Sequence, residues 1–406
     1  MSQRVRVPGL LAALITAVAA CEQPLPSGAG APPPPGPDLS LVRAARGIGG
    51  PLPHLSREDR RRFELGSAVF QTVFTPATGL GPLFNGRSCA ECHEDPVVGG
   101  VGDEVETHQS AFQGGVCNDL AAIGGPVIQD SVTPALHDAL GIDKEPPLPE
   151  ATGTAHRTTP SVLGFGLLEA VPDEVILSHA DPDDLDHDGI SGRPNRTADG
   201  RLGRLGRKAQ VATLDEFVSG AFVNEMGITN PAAPNEQTIR DNPLPAGVDP
   251  TPDPELSQDR VDATVAFVRF LAPPEQLKMN LVTGERGRHL FSLIGCASCH
   301  IPALPTGRSP EHALSHKFVY AFTDLLLHDM GPDLADICLG AAEPSEFRTE
   351  PLMGIHGKTA FLHDGRAQSI EQAIELHAGE AAAARERFMG LSTRQRVVLL
   401  RYLNSL

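Results

Sequence analysis

Two stretches of this chain space their apolar residues as a helix face does, and they end almost alike. In SQDRVDATVAFVRFL, Val261, Val265 and Val268 share one face behind Ser257 as a cap; in STRQRVVLLRYLNSL, Val397, Leu400 and Leu403 do the same. The endings VRFL and LRYL nearly repeat. Two shorter amphipathic segments rich in Gly and Phe, GSAVFQTVF from Gly66 and GRHLFSLIGC from Gly287, stand upstream of them, and RTTPSVLG from Arg157 and RTEPLMGI from Arg348 share R-T-x-P. The pattern predicts a mainly α-helical protein with long loops, built from two similar units that divide near Pro273 to Leu277, one over residues 39–275 and one over 276–406.

The start of the chain has a different character. Arg4 and Arg6 precede an apolar run from Leu10 to Ala20, too short to remain as a membrane span, so residues 1–20 are expected to be a cleaved signal. The segment VAAC resembles a bacterial lipoprotein cleavage box, which implies that Cys21 becomes a lipidated first residue; an ordinary signal peptide cut nearby is the alternative. Residues 21–38 then form a Pro-rich tether able to hold the body about 50 Å from a membrane. The expected location is therefore the cell envelope, facing or within the periplasm.

Length and composition, 406 residues with 40% apolar, allow real cores, and Gly and Pro fall short of a disordered composition. The net charge of −18 becomes −20 once the two leader arginines are removed, which argues against nucleic acid and for soluble or basic partners. Of seven cysteines, Cys21 belongs to the leader box, and Cys117 and Cys338 either pair as a disulfide or stay as buried thiols. The other four form SCAECH and GCASCH.

Cys-x-x-Cys serves three chemistries. A structural zinc site would want its two pairs close in sequence, and here they are 207 residues apart. A thioredoxin-like dithiol would follow a strand, and neither copy has a strand-like run before it. Covalent c-type haem needs two sulfurs one helical turn apart and a histidine directly after, as both copies provide. This predicts two covalent haems on Cys89, Cys92, Cys296 and Cys299, with His93 and His300 as iron ligands. Arg157 and Arg348 are candidates to meet haem propionates, with a plain surface role as the alternative.

The elements GLGPLFNGRSCAECH, RTTPSVLGFGLLEAVP, DHDGISGRPN, LLLHDMGPDLAD and FLHDGRAQSIEQAIELHAGEA resemble the bacterial diheme oxidoreductase family, from about Leu55 to the end. More distantly the chain is similar to the diheme cytochrome c peroxidases and to the diheme enzyme that matures methylamine dehydrogenase. The resemblance implies two cytochrome c-like haem domains. It also implies a second ligand to the C-terminal iron some four helical turns after the HDG segment, where His377 stands, with Met330 as runner-up. For the N-terminal haem it implies a releasable histidine, matched in spacing by His108, with a solvated loop histidine as the alternative, and a pocket in which Glu169 acts as acid or base, with an ordinary surface carboxylate as the alternative. One departure is that the chain has no Trp, where those peroxidases place one between their haems.

DLDHDGISGRPN matches a calcium loop at Asp184, Asp186, Asp188 and Gly189, with Ile190 offering a carbonyl and Asn195 where a bidentate Glu would stand; a metal-free acidic turn is the alternative. Together these features lead to an envelope diheme oxidoreductase that exchanges electrons with a redox partner protein or a small redox substrate. Peroxide reduction and a non-catalytic electron-transfer or iron-handling role are the rivals.

Overall fold

Helix Arg57–Phe70 lies along helix Gln258–Phe270, and one residue sets how closely. A methyl group on Gly66 would fall 1.8 Å from the carbonyl oxygen of Ala263, so only hydrogen fits between the two backbones. Phe63 and Phe70 then close around Phe267, with ring centroids 5.0 and 4.9 Å away. The Ser56 hydroxyl accepts the Asp59 amide at the start of the first helix. Val261, Val265 and Val268 are buried as their spacing predicts.

The computed structural model describes residues 47–406, so the leader, Cys21 and the tether lie outside the described residues. Later in the chain the same device returns. Helix Leu281–Leu293 meets helix Thr393–Leu403, where a methyl on Gly287 would lie 2.3 Å from the Tyr402 Cβ, and Phe291 packs on Tyr402 at 5.9 Å. Ser392 and Gln395 form a capping box at the start of the last helix. Its buried face differs from the predicted one. Because Gly287 receives Tyr402, the helix turns Leu399, Tyr402 and Leu403 inward and leaves Val397 exposed.

Among the described residues helix accounts for 33% and strand for 14%, a mixed fold rather than the mainly α one expected. The additional element is a four-stranded antiparallel sheet. Its centre is Val105–Gln113, which pairs with Gly153–Thr158 from Val105↔Thr158 to Ser110↔Gly153, with Val127–Ile128, and through the Gly114–Gly115 turn with Val116–Asn118. Both turn glycines have positive φ, which glycine adopts freely. A smaller ladder joins Leu327–Asp329 to Glu346–Arg348. Cys117 and Cys338 are disulfide-bonded, tying the sheet to a loop 221 residues away. The Cys338 amide donates to the Ser110 hydroxyl beside it.

Two apolar clusters fill the interior. The larger collects helices Arg57–Phe70, Leu214–Met226 and Gln258–Phe270, and also takes Leu304, Leu314, Val319 and Leu326 from beyond residue 276. The smaller gathers Leu290, Phe291, Phe388, Leu399 and Leu403. No helix among the described residues is long and apolar enough to cross a membrane.

Candidate cofactor sites

The first cysteine pair occupies one helical turn, Cys89–Cys92, capped by the Ser88 hydroxyl, which accepts the Glu91 amide. The second is a 3₁₀ turn, Cys296–Ser298, entered from Gly295 at φ 94°. In both, the histidine amide reaches back to the first cysteine's carbonyl, His93 to Cys89 at 2.9 Å and His300 to Cys296 at 3.0 Å. Each histidine is thereby tied back to its cysteine pair across a single turn.

The ring hydrogen bonds are more specific still. His93 Nδ1 lies 3.2 Å from the Gly100 carbonyl oxygen and His300 Nδ1 lies 2.9 Å from that of Phe322. A carbonyl only accepts, so Nδ1 carries the proton and Nε2 keeps its lone pair, the tautomer that binds a metal. Burial lowers the pKa of His93 and brings that of His300 down to about 4, which keeps both rings neutral. Burial acts on the thiols in the opposite direction, pushing Cys89 and Cys296 up to about 12 and raising Cys92 and Cys299 as well. A dithiol redox motif needs a lowered thiol pKa, so the thioredoxin-like chemistry has no support here.

A cavity of about 800 Å³ opens beside the second pair, lined by Cys296, Cys299, His300, Met330 and His377. Its volume lies in the range of sites for large organic cofactors. His377 ends helix Ile370–Leu376, and its Nδ1 donates to the Ala373 carbonyl at 2.7 Å, again leaving Nε2 bare. Burial lowers its pKa too. The structure therefore brings His300 and His377 to one cavity in the same ligating form, and Met330 lines that cavity as well.

His328 was not foreseen. It is buried 3.6 Å from Cys299 Sγ, with Nε2 2.8 Å from Asp324 and Nδ1 2.7 Å from Glu380. Burial would lower its pKa, but Asp324, Cys299 and Glu380 lift it to about 12, so it stays charged. Glu380 also accepts from the Ser191 amide and hydroxyl, linking the acidic loop to this cysteine. The signal for it in sequence is a lone histidine closing the apolar run LLLHD.

Around the first pair the surroundings are acidic. His108 sits on the central strand with Nε2 3.2 Å from Glu106, and its Nδ1 is buried without a partner. Glu106 lies within electrostatic reach of both His93 and His108. Burial and the nearby Glu106 carboxylate hold Glu225 well above the usual carboxylate range, so it is protonated, while Asn85 donates to it at 2.8 Å. Neither glutamate was foreseen. Glu106 is two positions from His108 and so on the same face of the strand, a relation visible only once the strand itself is recognised.

Other expected residues lie elsewhere or are already engaged. Glu169 is not free to act as acid or base, since it pairs with Arg269 at 2.8 and 3.1 Å and caps Leu214. Arg157 is buried and pairs with Asp336, with Nη2 at 2.6 Å and Nε at 2.9 Å, so its charge is already met by that carboxylate. Arg348 is buried and lines the cavity beside the second cysteine pair. In the acidic loop the carboxylates of Asp181, Asp184 and Asp186 converge, while Asp188 accepts from the Ile190 amide. Asn195 does not join them. It is fully buried, donates to the Lys208 and Leu339 carbonyls, and accepts the Arg196 and Ala341 amides, so its amide is saturated.

Residues 150–406 match a family model described as "Di-haem oxidoreductase, putative peroxidase". No curated protein matches. Among solved structures the chain is similar to hydrazine synthase of Kuenenia stuttgartiensis, at 14% identity and TM-score 0.42 over 98% of this chain and 99% of that one. It is similar to the diheme peroxidase BthA from Burkholderia thailandensis at 18% and 0.43, over 90% and 92%. A third is a MauG-like protein associated with microbial copper homeostasis, at 16% and 0.37 over 89% and 93%.

Proposed function

The chain belongs to the di-haem oxidoreductase family of peroxidase-like enzymes, and on that premise we propose that it is a cell-envelope c-type enzyme that reduces peroxide at its N-terminal site. Haem c would be held by Cys89, Cys92 and His93, and by Cys296, Cys299 and His300. When bound, the haem irons supply one-electron storage and, where a sixth position opens, a site for peroxide.

The observation that carries the reading is the contrast between the two sites. Beside His300 stands a second neutral imidazole, His377, in the same cavity, an arrangement suited to an electron relay. Around the first cysteine pair stand Glu106, which despite its burial is held below the usual carboxylate range by His108 and His93, and Glu225, which burial and Glu106 hold well above it. Glu106 could take a proton from peroxide and Glu225 could return one to the departing oxygen, while the two protons consumed in H2O2 + 2 e⁻ + 2 H⁺ giving 2 H2O come from solvent. His108 holds Glu106 in place through Nε2, and its unpartnered Nδ1 supports a role as the releasable ligand.

The leader and the Cys21 box support a tethered envelope protein, and the acidic surface supports a basic electron donor as partner. Calcium at the acidic loop enters the proposal on the convergence of Asp181, Asp184 and Asp186 alone. A permanent His108 ligand would favour the non-catalytic electron-transfer reading instead.

The decisive test is electron paramagnetic resonance of the haem-loaded protein, oxidised and then half-reduced. A high-spin signal at either stage is expected, and two low-spin signals that persist would retire peroxide reduction. Glu106→Gln should then slow peroxide turnover by about 10²- to 10⁴-fold at unchanged haem content.

A further inference from the structure

Arg207, Arg348 and Lys358 converge on a single carboxylate in the wall of the cavity that also holds Cys296 and His300. Arg348 Nη2 donates to Glu350 at 3.1 Å, Arg207 Nη1 lies 3.4 Å from the same oxygen, and Lys358 Nζ donates to the other at 3.2 Å. Three cations against one anion leave two positive charges uncompensated within the cluster. Nearby carboxylates are engaged elsewhere: Asp336 is shared by Arg157 and Lys208, Asp364 is taken by Arg366, and Asp324, within electrostatic reach of Arg348, is held by His328 at 2.8 Å.

The donors are also incompletely used. Arg348 is 5% exposed, its Nε donates to the Gly206 carbonyl, and its Nη1 is buried with no partner. Arg207 gives Nη2 to the Thr158 carbonyl, and its Nε is likewise unpartnered. A buried guanidinium with a bare N–H carries a desolvation cost that a bound anion removes. Two excess charges, planar donor forks and a cavity wall together describe a receptor for two carboxylates.

We infer that Arg207, Arg348 and Lys358 bind the two propionate carboxylates of the haem carried by Cys296 and Cys299. This rests on the covalent-haem reading above but not on peroxide chemistry. A free dicarboxylate is the other source of the same chemistry.

The test uses the full haem-loaded chain and a redox titration followed by electron paramagnetic resonance, which separates the two haems. Removing a cation beside the propionates favours the oxidised iron, so Arg348→Gln and Arg207→Gln should each lower the potential of the C-terminal haem and leave the N-terminal one in place. Arg348→Lys should recover part of the shift. Lys358→Met, at a more exposed position, gives the same readout if Arg348→Gln fails to accumulate. Unmoved potentials in all these variants, with haem adducts intact by mass, would overturn the inference. So would calorimetry showing that wild-type protein binds succinate and that Arg348→Gln does not, since the cluster would then serve a free anion. Absence of a haem mass on the Cys296–Cys299 peptide of the wild type would remove the covalent premise itself. Absence of peroxide turnover in wild-type protein, with the C-terminal potential still lowered in the variants, would overturn only the proposed reaction and support this inference.

Discussion

A histidine is readied for iron by what its other nitrogen does, and three residues here share that preparation. His93, His300 and His377 each give Nδ1 to a backbone carbonyl. If His377 is the second ligand, His377→Ala should add a high-spin signal from the C-terminal iron while His300 and both thioether attachments stay intact by mass. An unchanged low-spin spectrum would pass the role to Met330. A different residue contributes to the pH dependence of stability. Glu145 is buried with one oxygen unpartnered, and burial lifts its pKa from 4.5 to about 7. The folded state thus holds an extra proton between those values, so stability falls as pH rises from 4.5 through 7. Glu145→Gln should flatten that slope by Glu145's share and gain at most about 3 kcal/mol at pH 8.5, read by denaturant unfolding across pH. At this scale the cysteine motifs were legible because their chemistry demands a fixed local spacing. Arg157 and Arg348 were not separable, because both read R-T-x-P and only Asp336, 179 residues from Arg157, tells them apart.

Elements were legible where one periodicity dominates. The helix Gln258–Phe270 buries the valines its pattern marked, whereas VETHQSAFQ interleaves polar and apolar residues on a strand whose faces meet a sheet partner, a buried site and solvent. No single alternation marks such a strand. Helix pairing offers a clean comparison between two glycines. Gly66→Ala places a methyl against Ala263 and should cost about 1–3 kcal/mol through forced separation of the helices. Gly220→Ala, in helix Leu214–Met226, would meet only the Asn224 side chain at 3.7 Å and should stabilise by about 0.5–1 kcal/mol. Thermal unfolding of the two variants should therefore shift in opposite directions. A shift in the same direction would show that Gly66 is not the point of closest packing.

Across the whole molecule two helix pairs recur, and in each the first helix carries the close-contact glycine and is followed by a Cys-x-x-Cys-His. The division near Pro273 was less informative, since apolar residues from 304 to 326 complete the larger core. That exchange between halves involves residues far apart in sequence, and local patterns carry no trace of it. The Cys117–Cys338 disulfide adds a second bond between them. Replacing both cysteines with serine should cost about 2–5 kcal/mol in denaturant unfolding, and wild-type protein should lose a similar amount under reducing conditions. A reductant-insensitive unfolding curve would mean that the bond does not constrain the unfolded chain.

The larger core also has a consequence in time. Synthesis delivers residues in order, and a core that needs Leu326 cannot close when the chain has reached only residue 275. The first cysteine pair therefore waits outside a closed core until the second has also emerged, so under the proposed covalent attachment both pairs would be open to haem during one shared interval. The two halves mature as one job, and neither has a finished form of its own.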